Sequence, residues 1–290
     1  MRIHSWLLYV LPMALSSTAG NHCIYSSEVI RFNSNGVFLE GQLDLPNSEG
    51  RVPMAVFVHG SGMRTRADYA DFIAPFLQNN IAVFRFDKRG VGNSGGSYSD
   101  VDVSTENSPV TIHTLAMDVA AAIKYLKGNT RIDSSRCVLV GASQAGWIIP
   151  VAAELEDIYA TAIFSGPTVS VGEEIYYSSL AESKNYSVAD ANKMVLSSNH
   201  SAGFDPIPYL RKLDRPSLWI FGDQDESIPI DHSLQILKQV RDEFHQPIYI
   251  EIVSGANHGM RFRDGTRSDY VSDILRWINN NNNNGRPPDK

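Results

Sequence analysis

Short runs of almost continuous apolar residues punctuate the chain: 54–60 (MAVFVHG), 81–87 (IAVFRFD), 137–142 (CVLVGA), 160–166 (ATAIFSG), 217–222 (SLWIFG) and 248–255 (IYIEIVSG). A strand reads this way when both of its faces are covered, as in a parallel sheet packed between helices. Between the runs, apolar residues recur at helical spacing over 69–78, 115–127, 145–156, 231–240 and 268–278. Strand alternating with helix predicts an α/β fold: a mostly parallel twisted sheet, right-handed crossovers, and helices on both faces. Ahead of the first run, two alternating stretches flank Asn35-Gly36 and predict a hairpin, which adds antiparallel strands at one edge. One gap breaks the rhythm. Residues 167–213 are rich in Tyr and Ser, carry a helical pattern near 188–196, and are too long for an ordinary connection. They predict a helical cap inserted over one end of the sheet.

The two ends of the chain differ from its middle. Residues 1–20 set Arg2 ahead of an apolar stretch, WLLYVLPMALSSTAG, that finishes on small residues. That is the shape of a secretory signal, and its short length and Pro12 argue against a membrane span. A secreted or periplasmic location is expected, with the folded domain at 24–278 and no stable membrane span after signal cleavage. Residues 279–290 are polar and Asn-rich; such a segment buries too little to offset its ordering entropy and predicts a disordered tail. Cys23 lies near the loose N-terminus and Cys137 opens an apolar run, so both are expected as free thiols. The eight histidines have no metal-type spacing, and neither a metal nor a cofactor is expected. A formal charge of −7 without a basic run argues against a nucleic-acid partner.

In a sheet of this kind ligands gather at the carboxyl ends of the strands. The residues that follow each apolar run therefore carry the candidate chemistry: His59-Gly60-Ser61-Gly62, then Asp87 and Arg89 with GVGNSGG, then Ser143, then Asp223-Gln224-Asp225, then Asn257-His258-Gly259. A serine, an aspartate and a histidine reach one rim in that order. In Gly141-Ala142-Ser143-Gln144-Ala145 the serine sits where a strand turns sharply into a helix. Such an elbow drives the serine toward unfavourable backbone angles and thrusts its oxygen outward. Positions two before and two after must then be small, as Gly141 and Ala145 are. Gly92-Asn93-Ser94-Gly95-Gly96 is a more literal Gly-x-Ser-x-Gly string, but no helical pattern follows it, so a loop role is expected for Ser94. Pro150 falls inside the helix after Ser143, where it removes one hydrogen bond.

The motifs HGSG, FDKRGVGNSGG, GASQAG, FGDQDESIP and GANHG, each at a strand end and in this order, resemble the α/β-hydrolases of the serine esterase and serine aminopeptidase-like group. The resemblance covers roughly residues 28–278; the alanine at 145, where the usual pattern has glycine, is a departure of one methyl. It implies an α/β-hydrolase fold with Ser143 as nucleophile, His258 as general base and acid, and an aspartate orienting the imidazole. The acid of such enzymes comes three residues after the strand-ending glycine and is followed by Ile-Pro, which here selects Asp225 over Asp223. The oxyanion donors implied are the backbone N–H of Gln144 and one from the loop after His59-Gly60, at Ser61. Asp87 and Arg89 are expected to brace the adjoining loop. The expected activity is hydrolysis of small or medium carboxylic esters through an acyl-enzyme, with an aminopeptidase or acyltransferase using the same triad as the alternative; a non-catalytic binding protein on this fold is a third reading, disfavoured because all three triad residues are present. The partner expected is a small-molecule ester.

Overall fold

The computed structural model describes residues 25–183 and 185–283. The segment 1–20 read as a signal, Cys23 and the end of the Asn-rich tail lie outside the described residues. The apolar runs form one eight-stranded sheet in the order β1-β2-β4-β3-β5-β6-β7-β8. Its strands are β1 (Tyr25–Ser34), β2 (Val37–Pro46), β3 (Val52–Val58), β4 (Ala82–Phe86), β5 (Ile132–Ala142), β6 (Ala160–Phe164), β7 (Ser217–Gly222) and β8 (Ile248–Val253). β1 pairs β2 and β2 pairs β4 antiparallel; from β4 across to β8 every pairing is parallel. The β1–β2 turn places Asn35 and Gly36 at φ 49° and 84°, the doubly left-handed geometry that makes Asn-Gly the favoured hairpin dipeptide.

The helices are α1 (Ile73–Gln78), α2 (Ser108–Leu126), α3 (Ala145–Leu155), α4 (Val171–Ala181), α5 (Val188–Leu196), α6 (Ile207–Leu210), α7 (Ile230–Phe244) and α8 (Tyr270–Asn283). β3 shows why the runs are continuously apolar. Met54, Val56 and Val58 face the core shared with α2, α3 and α7. Ala55 and Phe57 face the opposite core, against the 3-10 turn Arg66–Phe72, α1 and α8. α2 begins at Ser108, seven residues before the apolar pattern suggests. Its first turn buries Ser108 and Thr111, polar residues that hide the periodicity, and Pro109 suits that turn because it lacks the N–H a helix start leaves unpaired. α8 continues to Asn283, into the run read from sequence as tail. Specific hydrogen bonds rather than apolar burial hold that last turn: Asn281 Nδ2 donates to Trp277 O (2.9 Å), Asn281 O accepts from Tyr159 Oη (2.6 Å), and Asn279 Nδ2 donates to Asn79 Oδ1 (3.0 Å). Among the described residues no helix is long and apolar enough to cross a membrane.

Between β6 and β7 the chain builds α4, α5 and α6. Tyr177 and Ala181 of α4 pack on Ala191 and Val195 of α5 in a small core of their own. The Tyr177 hydroxyl donates to Asp225 O (2.6 Å), which ties this segment to the loop after β7.

Candidate active site

β5 ends at Ala142 and α3 begins at Ala145, so Ser143 and Gln144 alone turn the strand into the helix. Ser143 has φ 55°, a left-handed conformation that residues with a side chain seldom adopt. The turn is held by Ser143 N–H to Phe164 O (3.2 Å) and Gly146 N–H to Ser143 O (2.8 Å). A Cβ on Gly141 would lie 2.5 Å from the Ala145 methyl and 2.9 Å from Val58 O. The elbow therefore admits the methyl at 145 because position 141 has none. Pro150 is accommodated inside α3.

His258 and Asp225 come from the loops after the last two strands. These loops touch at Gly222, where a Cβ would sit 2.2 Å from Ala256 O. The contact brings His258 Nδ1 to 2.9 Å from Asp225 Oδ2 and 3.1 Å from Oδ1. Asp225 is fully buried, and its Oδ1 also accepts the N–H groups of Ser227 (2.8 Å) and Ile228 (2.9 Å). Asp223, two residues earlier, turns away: its carboxylate accepts from Ser254 Oγ (2.9 Å) and Gly255 N–H (2.7 Å) and braces the β8 loop. Ser143 and His258 line one cleft of about 460 Å³ with Gly60, Ser61 and Glu174. No hydrogen bond within 3.5 Å joins the Ser143 hydroxyl to the His258 ring; such bonds are often loose until substrate binds. The backbone N–H groups of Gln144 and Ser61 donate to no group among the described residues, so both are free for a ligand.

Ser94 lies elsewhere. It is buried, donates to Asp87 O (2.6 Å) and accepts the N–H of Glu40 (3.0 Å). Its neighbours are braces as well: Asp87 accepts the N–H groups of Arg66 and Asn93 (both 3.0 Å), and Arg89 pairs with Asp118 on α2. A more open depression of about 580 Å³, with Phe32, Met117 and Tyr125 in its wall, contains none of the candidate residues.

Residues 68–285 match the prolyl oligopeptidase family. The chain belongs to that family. The match agrees with the α/β-hydrolase, esterase- and peptidase-like resemblance of the strand-end motifs, and the chain is a hydrolase by family. The quorum-quenching protein AidA of Acinetobacter baumannii is 29% identical over 138 residues, 48% of this chain and 43% of that protein, so the match spans less than half of each. An esterase of Pyrococcus furiosus superposes with a TM-score of 0.65 at 17% identity, over 96% of this chain and 99% of that one. An acylaminoacyl peptidase of Pyrococcus horikoshii gives 0.66 at 18% identity, over 88% of this chain and 41% of that one. At such identities the likeness is one of fold.

Two residues of this site have no place in the sequence reading. Glu174, on α4, lines both the main cleft and a side pocket of about 80 Å³ beside Ser143. Burial pushes its carboxyl up to about 7, with the nearby His258 opposing and Glu182 and Asp225 reinforcing the shift. Burial acts on His258 in the downward direction, but the hydrogen bond and charge of Asp225, helped by Glu174 and Glu182, outweigh it and hold the imidazole above its ordinary value. The other is Lys88, which is 1% exposed behind the Gly60–Gly62 loop. Glu174 had one sequence signal: Ser170 and Glu173 form a capping box that starts α4. Lys88 had only its place in FDKRG.

Proposed function

We propose that this hydrolase cleaves carboxylic esters of small or medium acyl groups through an acyl-enzyme on Ser143. The observation that carries the reading is the meeting of a left-handed serine with a histidine already held by a buried carboxylate, in one cleft. His258 Nε2 takes the hydroxyl proton as Ser143 Oγ attacks the acyl carbon. Asp225 fixes the proton on Nδ1, so that Nε2 is the acceptor, and stabilises the imidazolium that forms. The oxygen of the tetrahedral intermediate takes the free N–H groups of Gln144 and Ser61. The proton then passes from Nε2 to the departing alcohol, and a water repeats the sequence to release the acid. Limited space in the side pocket, walled by Val103, Trp147, Pro167 and Ile228, favours short acyl groups. Residues 167–213 act as a cap whose α4 wall sets the size of the cleft.

Family membership favours a second reading, in which the same triad cleaves amides or transfers the acyl group. Expression of wild type and Ser143→Ala, with turnover of a short p-nitrophenyl ester and an aminoacyl anilide side by side, tests both. Ester turnover that vanishes in the variant, exceeding anilide turnover in the wild type, supports the proposal. Full ester activity in folded Ser143→Ala refutes it, and a faster anilide selects the second reading.

A further inference from the structure

Lys88 is buried without a carboxylate. Its ammonium donates instead to Gly60 O (3.1 Å), Gly62 O (3.3 Å) and Gln144 Oε1 (2.8 Å), and lies over the Tyr98 ring at 5.7 Å. A fully buried lysine normally has an acidic partner, because desolvating its charge is costly. Among the described residues no acidic group pairs with it within 4 Å. The choice of acceptors explains why it is there. We propose that Lys88 is the positioning residue of the oxyanion hole, aiming the N–H groups of Ser61 and Gln144 at the developing oxyanion through the Gly60 carbonyl and the Gln144 side chain. This rests on the roles proposed above for Ser143, Gln144 and Ser61.

The geometry works through the peptide plane. The Gly60 carbonyl and the Ser61 N–H belong to one planar trans peptide, so they point in opposite directions. Holding the carbonyl on Lys88 turns the N–H away from it, on a residue that lines the cleft beside Ser143. A cation on that carbonyl also polarises the amide and strengthens its N–H as a donor. The second donor is fixed in parallel. Gln144 is 3% exposed, carries the other free N–H, and has its side chain clamped by the same ammonium. One buried charge thus spans the two chain segments, from β3 and from β5, that must keep their register for the hole to exist. The backbone of Lys88 is anchored too, its N–H donating to Arg64 O (3.0 Å).

Burial lowers the Lys88 ammonium to about 8; Arg64 pushes it the same way and Asp102 opposes. The remaining groups facing it are His59, held neutral by burial at about 4, and Tyr98, raised above its ordinary value. Neither titrates near 8. Positioning by the charged form is complete below that pH and fades above it, which places an alkaline fall in kcat there.

The experiment measures kcat and KM for p-nitrophenyl acetate against pH in wild type, Ser143→Ala, Lys88→Met, Lys88→Gln and Gln144→Ala, with thermal unfolding of each. Lys88→Met is expected to lower kcat about 10²-fold while KM moves less than about threefold. The alkaline fall in kcat near 8 is expected in wild type and absent in Lys88→Gln. Gln144→Ala keeps its backbone N–H and loses only the clamp; an expected drop of about tenfold in kcat tests the inference even if the Lys88 variants do not fold. Wild-type kcat in Gln144→Ala, or in folded Lys88→Met, overturns the inference while inactivity of Ser143→Ala leaves the parent reading standing. Undiminished activity in Ser143→Ala removes both.

Discussion

Replacing Asp225 by asparagine perturbs the site without changing its shape, and the structure dictates how the new amide must sit. Oδ1 accepts two backbone N–H groups, from Ser227 at 2.8 Å and Ile228 at 2.9 Å. Only the amide oxygen can take that position, so the NH₂ falls where Oδ2 now faces His258 Nδ1 at 2.9 Å. An N–H donor there forces Nδ1 to be the acceptor and moves the ring proton to Nε2. His258 then has no lone pair to receive the Ser143 proton. A triad acid-to-amide exchange of this kind lowers kcat about 10⁴-fold, equivalent to about 5.4 kcal/mol of barrier. The assay is steady-state hydrolysis of a short p-nitrophenyl ester at pH 8, with circular dichroism confirming the fold. A folded Asp225→Asn enzyme within about tenfold of wild-type kcat would refute the tautomer argument.

Further outcomes follow from the same geometry. The imidazole must be neutral to act as base and its pKa is held above the ordinary value, so kcat/KM should fall as pH drops through a midpoint above 6.5; Glu174→Gln, which removes the part of that support carried by the ionised Glu174 carboxylate, should move the acid limb to lower pH, and an upward or absent shift counts against the pairing. Ser94→Ala strands the Glu40 N–H and should cost about 1–3 kcal/mol of stability in thermal or urea unfolding while kcat stays within about twofold, whereas lost activity in a folded variant would reinstate Ser94 as nucleophile. Gly141→Ala drives a methyl into Ala145 and Val58 and should destabilise by about 1–3 kcal/mol, seen as a lowered melting temperature; a neutral effect would mean that the elbow is looser than described.

The strands and the placing of the candidate residues at one rim of the sheet were legible because each has a local cause. A strand buried on both faces has to be apolar throughout, and an elbow serine needs small neighbours, so Ser143 separates from Ser94 once a following helix is required. Asp225 was preferred to Asp223 on the family resemblance, which puts the acid three residues after the strand-ending glycine; the structure adds that two backbone amides and the His258 ring converge on the Asp225 carboxylate. What stayed hidden acts through contacts distant in sequence. Lys88 reads as one basic residue in a turn, and its work lies in carbonyls 28 and 26 residues away and in a side chain 56 residues away. α4 has a weak amphipathic signature because Ile175 is exposed while Tyr177 is fully buried, so Glu174 gave no sign of facing a cleft. The first turn of α2 was masked by buried polar residues, and the last turn of α8 is held by asparagine hydrogen bonds that no hydrophobic pattern records.

The account turns on an activated Ser143. Its most direct test is covalent labelling of the folded protein with a fluorophosphonate probe, followed by peptide mass spectrometry. The predicted result is a single adduct on Ser143, abolished in Ser143→Ala and strongly slowed in Asp225→Asn; an adduct on Ser94, or no adduct on any serine, would contradict it.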